Sequence, residues 1–338
     1  MNNDYLWDGS GKPDPDIENL ERVLGRFRHN RPAPRFPEII PGNEPRRSRF
    51  AWSLSIFQSL VVATGAMAVL FLSVWFVHRS IRGAAGEETF AVTGLQGAPK
   101  VGTQAFTTRG QLSIGQSLST DQNSRARIHV NDFGDVTIEP NSRVRLLDAR
   151  SNRKQLALDR GGLHARITAP PWQFYVETPS ATAVDLGCEY TLTVDDSGAG
   201  LLRVTFGWVQ FYSGDRQALI PAGAAARTRP GIGPGTPYFE DVSPGYQKAL
   251  EELDFGKGAP AARAAALDLL LKESRSADVL SLFPLLSRVS ESERGLIYER
   301  LSVLSPAPLG VTREGIIRGD NAQISLWWDH WGLGHPKK

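Results

Sequence analysis

The run from Ala51 to Val77, AWSLSIFQSLVVATGAMAVLFLSVWFV, holds no charged residue, and it limits what this chain can become more than any other stretch. A helix rising ~1.5 Å per residue crosses the hydrocarbon core of a bilayer in about 20 residues. The run is long enough, and Trp52 and Trp75 stand near its ends, where amphipathic rings sit at headgroup level. A buried core helix would carry a polar face, which Gln58 and scattered serines do not make. A cleaved signal peptide would hold an apolar core of roughly 7–15 residues close to the chain start, whereas this run is longer and begins far inside. Residues 51–77 therefore read as one uncleaved transmembrane helix. Arg35, Arg46, Arg47 and Arg49 precede it, against Arg79 and Arg82 after it. That asymmetry predicts a cytoplasmic N-terminus and a single pass through the inner (cell) membrane. Everything after about Arg82 is then extracytoplasmic, and periplasmic where the cell has an outer membrane.

The cytoplasmic tail, residues 1–49, contains one helical signature. Asp14-Pro15 pairs an N-cap residue with a proline at the first helical position. Ile17, Leu20, Leu24 and Phe27 then recur at helical spacing, among Glu18, Glu21, Arg22, Arg26 and Arg28. The pattern predicts an amphipathic helix over 14–29. Prolines 32, 34, 37, 41 and 45 make the following Arg-rich stretch an extended linker. A lone helix cannot bury its apolar stripe, so this one pairs with a partner or lies on the membrane surface. Both fit the same stripe.

Beyond the apolar run, residues 78–110 are rich in Gly, Thr and Gln and read as a tether. Residues 111–241 are dense in short β-prone runs, among them 126–130, 144–147, 155–158, 163–168, 182–186, 190–194 and 208–212. Turn formers separate them, such as Asn131-Asp132, Gly161-Gly162 and Ser213-Gly214. Short strands at about 8–12-residue spacing predict an all-β sandwich or short β-solenoid. From Ser243-Pro244 the pattern turns helical: 259–272, 277–289, and 291–304 behind a Ser290/Glu293 capping box. Asp320 caps a last segment that carries Trp327, Trp328 and Trp331. The expected architecture is thus multidomain, with a single transmembrane helix, an all-β domain and a small all-α C-terminal domain over 243–338.

The chemistry-bearing residues point to binding, not catalysis. The net charge of +2, from 38 basic and 36 acidic residues, gives no whole-chain surface for nucleic acid. A single cysteine, Cys188, excludes an internal disulfide framework. No paired-cysteine, H-E-x-x-H or calcium-loop spacing occurs, so neither metal nor cofactor is expected. His129 and His164 lie in strand-like runs as solvent-facing residues; only their convergence with Asp185 in a pocket would suggest an enzyme. Cys188 has Glu189 beside it and no Lys or His neighbour, so it reads as a packed core thiol. Trp327 and Trp331 share a helical face and read as closing a small C-terminal core. The glycines of RPGIGPGTP alternate with prolines and precede no phosphate-binding helix.

The order of several β elements resembles the FecR family. They are GQSL with Thr120, SRARIHVNDFGDVTIEPNSRVRLL, the LDRGGLHARI hairpin, FYVETPSATAVDLGCEYTLTVDDSG, LLRVTFGWVQFY and the IPAG turn. The stretch runs from about Gly115 to Gly223. Val204-Thr205-Phe206-Gly207-Trp208-Val209 fits the family's V-x-x-G-x-V hairpin, whereas Gly187-Cys188 has Cys where the family usually has Thr. The resemblance implies a membrane-spanning signal receiver whose cytoplasmic segment controls an extracytoplasmic-function sigma factor. Ile17, Leu20, Leu24 and Phe27 would then form the sigma-factor contact, and the outer region would meet a periplasmic or outer-membrane protein or ligand. Two departures stand out. The tail has one helix where better-known members have a fuller sigma-binding domain, and the C-terminal part is helical where iron-uptake members carry a small α/β module. The alternative is a non-signalling envelope scaffold, a glycan- or protein-binding module whose tail only sets topology.

Overall fold

In a computed structural model, the structure describes residues 89–332. The predicted tail helix, the Pro/Arg-rich linker and the apolar run 51–77 all lie outside them. Among the described residues, no helix is long and apolar enough to cross a membrane. In chain order the first strands are β1 (Phe90–Gln96), β2 (Lys100–Val101), β3 (Gln104–Ala105), β4 (Arg109–Leu112), β5 (Ser117–Ser119), β6 (Arg125–His129), β7 (Gly134–Ile138), β8 (Arg143–Arg150) and β9 (Arg153–Ile167). There follow β10 (Phe174–Glu177), β11 (Thr182–Asp185), β12 (Glu189–Val194), β13 (Gly200–Phe206), β14 (Trp208–Ser213), β15 (Arg216–Pro221), β16 (Ala224–Arg229), β17 (Gly233–Pro234) and β18 (Tyr238–Phe239).

These strands fill two layers. The first runs β4-β1-β6-β7-β9-β12-β13-β16 and is antiparallel throughout, with β17 and β18 beside β16. The second runs β3-β2-β5-β8-β9-β10-β11-β14-β15, and its β9–β10 pair is parallel. Successive hairpins enter the layers by turns: β6–β7 in the first, β10–β11 in the second, β12–β13 in the first, β14–β15 in the second. The result combines the two layers of a sandwich with the stepwise filling of a solenoid. Alternation of side chains along each strand sends one set inward. Ile128, Val136, Leu163 and Leu192 from the first layer share one core with Val144, Leu156, Val176 and Phe211 from the second.

Strand β9 belongs to both layers, and here the structure differs from the sequence reading of a Gly161-Gly162 hairpin. Residues up to Arg160 pair with β8, and residues from Gly161 onward pair with β7 and β12. The glycines bend one continuous strand across the domain; they do not reverse it. Gly161 has φ +89°, and a Cβ there would stand 2.4 Å from Ser142 Cα. Ser142 supports the crossing: its Oγ accepts the Gly162 N–H at 2.8 Å and donates to the Gly162 carbonyl at 3.1 Å. Residues 90–112, mostly read from sequence as tether, also supply β1 to β4. Phe90 and Val92 alternate with more exposed residues and are themselves buried.

Among the described residues six α-helices follow: α1 (Pro244–Phe255), α2 (Pro260–Glu273), α3 (Val279–Leu286), α4 (Glu291–Leu304), α5 (Arg313–Arg318) and α6 (Asn321–His330). Their starts match the cap signals. Ser243 Oγ accepts the Tyr246 N–H at 3.0 Å, Ser290 and Glu293 form the capping box, and Asp320 accepts from Ala322 N–H at 2.9 Å. The helices are continuous with the β layers, and their apolar residues belong to the same core. A buried ionic knot fastens the two parts. Asp254 of α1, 2% exposed at its side chain, accepts from Arg216 of β15 and from Arg288 after α3, each at 2.8 Å. The N–H and hydroxyl of Thr236 donate to it at 2.6 and 3.0 Å.

Candidate functional site

The end of β11 and the start of β12 enclose the most unusual polar group in the described residues. Asp185 is 1% exposed. Its Oδ2 accepts the Cys188 thiol at 2.5 Å and its Oδ1 accepts the Gly187 N–H at 2.7 Å. Burial pushes the carboxyl up to about 7, although both hydrogen bonds favour its charged form. Burial, and then the adjacent carboxylate, push the Cys188 thiol far above its ordinary range. Tyr190 on β12 is pushed up as well, by burial first and then by Asp185 and Cys188. The Tyr190 hydroxyl is buried and has no hydrogen-bond partner among the described residues.

This chemistry opposes nucleophilic work. A reactive cysteine is a thiolate held in an electropositive, accessible place; Cys188 is a protonated donor, 1% exposed, facing an acid. Its role is to hold a turn. Gly187 (φ +85°) carries the chain from β11 to β12, and the Cys188 carbonyl accepts the Ile167 N–H at 3.0 Å. Gly207 (φ +73°) lies over the same turn, where a Cβ would come 2.1 Å from the Gly187 carbonyl oxygen. The Gly-Cys step and the V-x-x-G-x-V hairpin, far apart in sequence, are therefore in direct contact. Thr and Val have nearly one shape, so Cys188→Thr and Cys188→Val separate the donor from the volume. At about pH 8, where Asp185 is charged, the Thr variant should be more stable than the Val variant by ~1.5–3 kcal/mol. Equal urea midpoints for the two would refute the donor role.

The histidines sit elsewhere, on the solvent side of the first layer. His129 Nδ1 lies 2.7 Å from Asp135 Oδ1, its cross-strand neighbour, and Nε2 lies 2.9 Å from Thr93 Oγ1. His164 Nε2 lies 3.0 Å from Glu189 Oε1. Each is tied to its own partner on a partly exposed face, and neither meets Asp185. Among the described residues no cluster of three or more His, Cys, Asp or Glu side chains is arranged to hold a metal ion.

The C-terminal tryptophans behave as core. Trp327 is fully buried, its indole N–H donates to the Ser305 carbonyl at 3.1 Å, and its ring meets Phe283 and Tyr298 edge-on at 5.4 and 5.5 Å. Trp331 packs against Trp328 at 5.9 Å. Ile17, Leu20, Leu24 and Phe27, the expected partner-binding residues, lie outside the described residues. The Asp185–Cys188 pair went unread in the sequence, although an acid at the end of the apolar run T-A-V-D-L, three residues before the only cysteine, is a usable signal.

The family model described as FecR protein matches residues 116–210, opening just before β5 and ending inside β14. Two crystal structures from Parabacteroides distasonis ATCC 8503, both provisionally assigned as anti-sigma factors, are similar to part of the chain. One is 13% identical with a TM-score of 0.31, over 39% of this chain and 63% of the other. The second is 14% identical with a TM-score of 0.32, over 46% of this chain and 73% of the other. The chain thus spans 63% of the length of the first of them. No curated protein matches it.

Proposed function

From the FecR domain that residues 116–210 form, we propose that this chain is a single-pass inner-membrane regulator acting by binding. Its two-layer β region would receive an extracytoplasmic signal, and its cytoplasmic tail would control a sigma factor through the stripe Ile17, Leu20, Leu24 and Phe27. The observation that carries this reading is the family match on a domain that follows an uncharged run of membrane-spanning length. The state of the candidate catalytic groups supports a non-enzymatic role. Cys188 is a buried, protonated donor, and His129 and His164 are paired separately on an outer face. Because one membrane helix transmits shape poorly, regulated proteolysis or a change of oligomeric state is the transmission step in this reading.

The test removes residues 1–45 and keeps the apolar run. Transcript profiles should change for one coherent set of genes, and a sigma factor should co-purify with the full chain and not with the truncated one. Alkaline phosphatase fused after Arg82 should be active, and fused before Arg46 inactive. An unchanged transcript profile with intact expression would leave the envelope-scaffold role in place of signalling. Recovery of the full chain in the soluble fraction would remove the membrane premise itself.

A further inference from the structure

A groove of about 640 Å³ opens where the second β layer meets the helices. This falls within the ~300–1,000 Å³ usual for small-molecule sites. Trp172, Leu219, Phe283, Ile324 and Trp328 form its apolar part. Gln210, Gln217, Asn321, Ser287 and Ser325 supply the polar groups, and no lining residue carries a charge, in a chain that is 22% charged. Gln210 Nε2 donates to Gln217 Oε1 at 2.9 Å. That bond leaves the Gln210 oxygen as an acceptor and the Gln217 nitrogen as a donor, side by side. Trp328 is 9% exposed, its ring is set edge-on to Phe283 at 5.5 Å, and its buried indole N–H has no acceptor among the described residues.

We infer that this groove binds a neutral saccharide of two or three units. A charged ligand would lose its hydration against a lining that offers no counter-charge. A wholly apolar one would leave the Gln210–Gln217 amide pair without partners. A sugar ring meets both demands: one face of C–H groups lies on an aromatic surface, and its hydroxyls donate and accept together, as the adjacent amide atoms require. The assignment is read by binding alone, so it stands or falls apart from control of transcription by the tail.

The full chain in lipid nanodiscs is titrated with maltotriose, cellotriose and triacetylchitotriose, and tryptophan fluorescence is followed to about 10 mM, the range of weak specific binding. An acetylated, amidated Leu-Val-Phe peptide is titrated alongside. Ser325 is an exposed residue of α6 on the groove rim, so Ser325→Trp fills the groove without entering the core. Trp172→Gly removes a ring and accepts the left-handed backbone (φ +68°) found there. At least one sugar should saturate, and Ser325→Trp should weaken it about tenfold or more at an unchanged melting temperature. Trp172→Gly should do the same. If no sugar saturates, if Ser325→Trp leaves the affinity unchanged, or if the peptide binds and no sugar displaces it, the inference is wrong.

Discussion

Asp254→Ala is expected to lower the unfolding free energy by about 3–5 kcal/mol, because it strands buried cations. The carboxylate accepts from two arginines and from both donors of Thr236. Arg288, whose pKa is lowered by burial, would remain in place with two neutral acceptors, the Thr236 hydroxyl at 2.9 Å and the Gln217 carbonyl at 3.1 Å, and no counter-charge. Asp254→Asn keeps the acceptor that meets the two arginines, loses the charge and sets an NH2 donor against the Thr236 N–H, so it should fall between wild type and Ala. The Arg203–Glu240 pair is the internal control. It is as short, at 2.6 Å, with both side chains nearly half exposed, and its loss through Glu240→Ala should cost no more than ~1 kcal/mol. Urea midpoints of the three variants decide the matter. Because the knot joins β15, the β17–β18 connection, α1 and the end of α3, Asp254→Ala should also raise amide exchange in α1 and β15 together. A cost within that of Glu240→Ala would mean that apolar packing alone holds helices to sheets.

What the sequence could reveal follows from the range of the interactions involved. Strands β6, β7, β12 and β14 are legible because alternation is local and each has a buried face. The starts of α1, α4 and α6 are legible because a cap acts within three residues. Strand β9 is not, since two adjacent glycines serve a hairpin and a strand crossing equally well, and only the position of Ser142 against Gly161 selects the crossing. Helix α5 is too short for a periodic signal. The Asp254 knot joins residues 18 to 38 positions apart, beyond any local pattern. The same limit hid the groove, whose walls come from β14, β15, α3 and α6. Asp185 is a different case: its partner is only three residues away, but an acid in a strand is ordinarily read as solvent-facing, and its burial is a tertiary fact.

That burial sets the second large effect, a stability difference that depends on pH. Asp185 titrates near 7 in the folded chain, against an ordinary value of 3.8. Below about pH 3.8 both folded and unfolded chains hold the proton. Between there and pH 7 the folded chain keeps a proton that the unfolded chain has released, so stability falls as pH rises. Above 7 both are ionised and the loss is complete. At ~1.4 kcal/mol per tenfold change in proton affinity, the full span is on the order of 4 kcal/mol. Asp121, Asp148, Asp195, Asp241 and Asp320 have lowered values through their hydrogen bonds, so they act in the opposite sense and cost stability in acid. The wild-type profile therefore mixes the two, and the difference against Asp185→Asn isolates one. Asn keeps one acceptor oxygen for the Gly187 N–H, places its NH2 donor against the Cys188 sulfur, a weak acceptor, and cannot ionise. From pH 4 to pH 8 the Asn variant should gain on wild type by several kcal/mol, with the steepest change between about pH 5 and 7. A difference that stays flat over that range would mean that Asp185 is already ionised in the folded chain at pH 4. The Cys188 thiol and the Gly187 N–H would then be strong enough as donors to offset its burial.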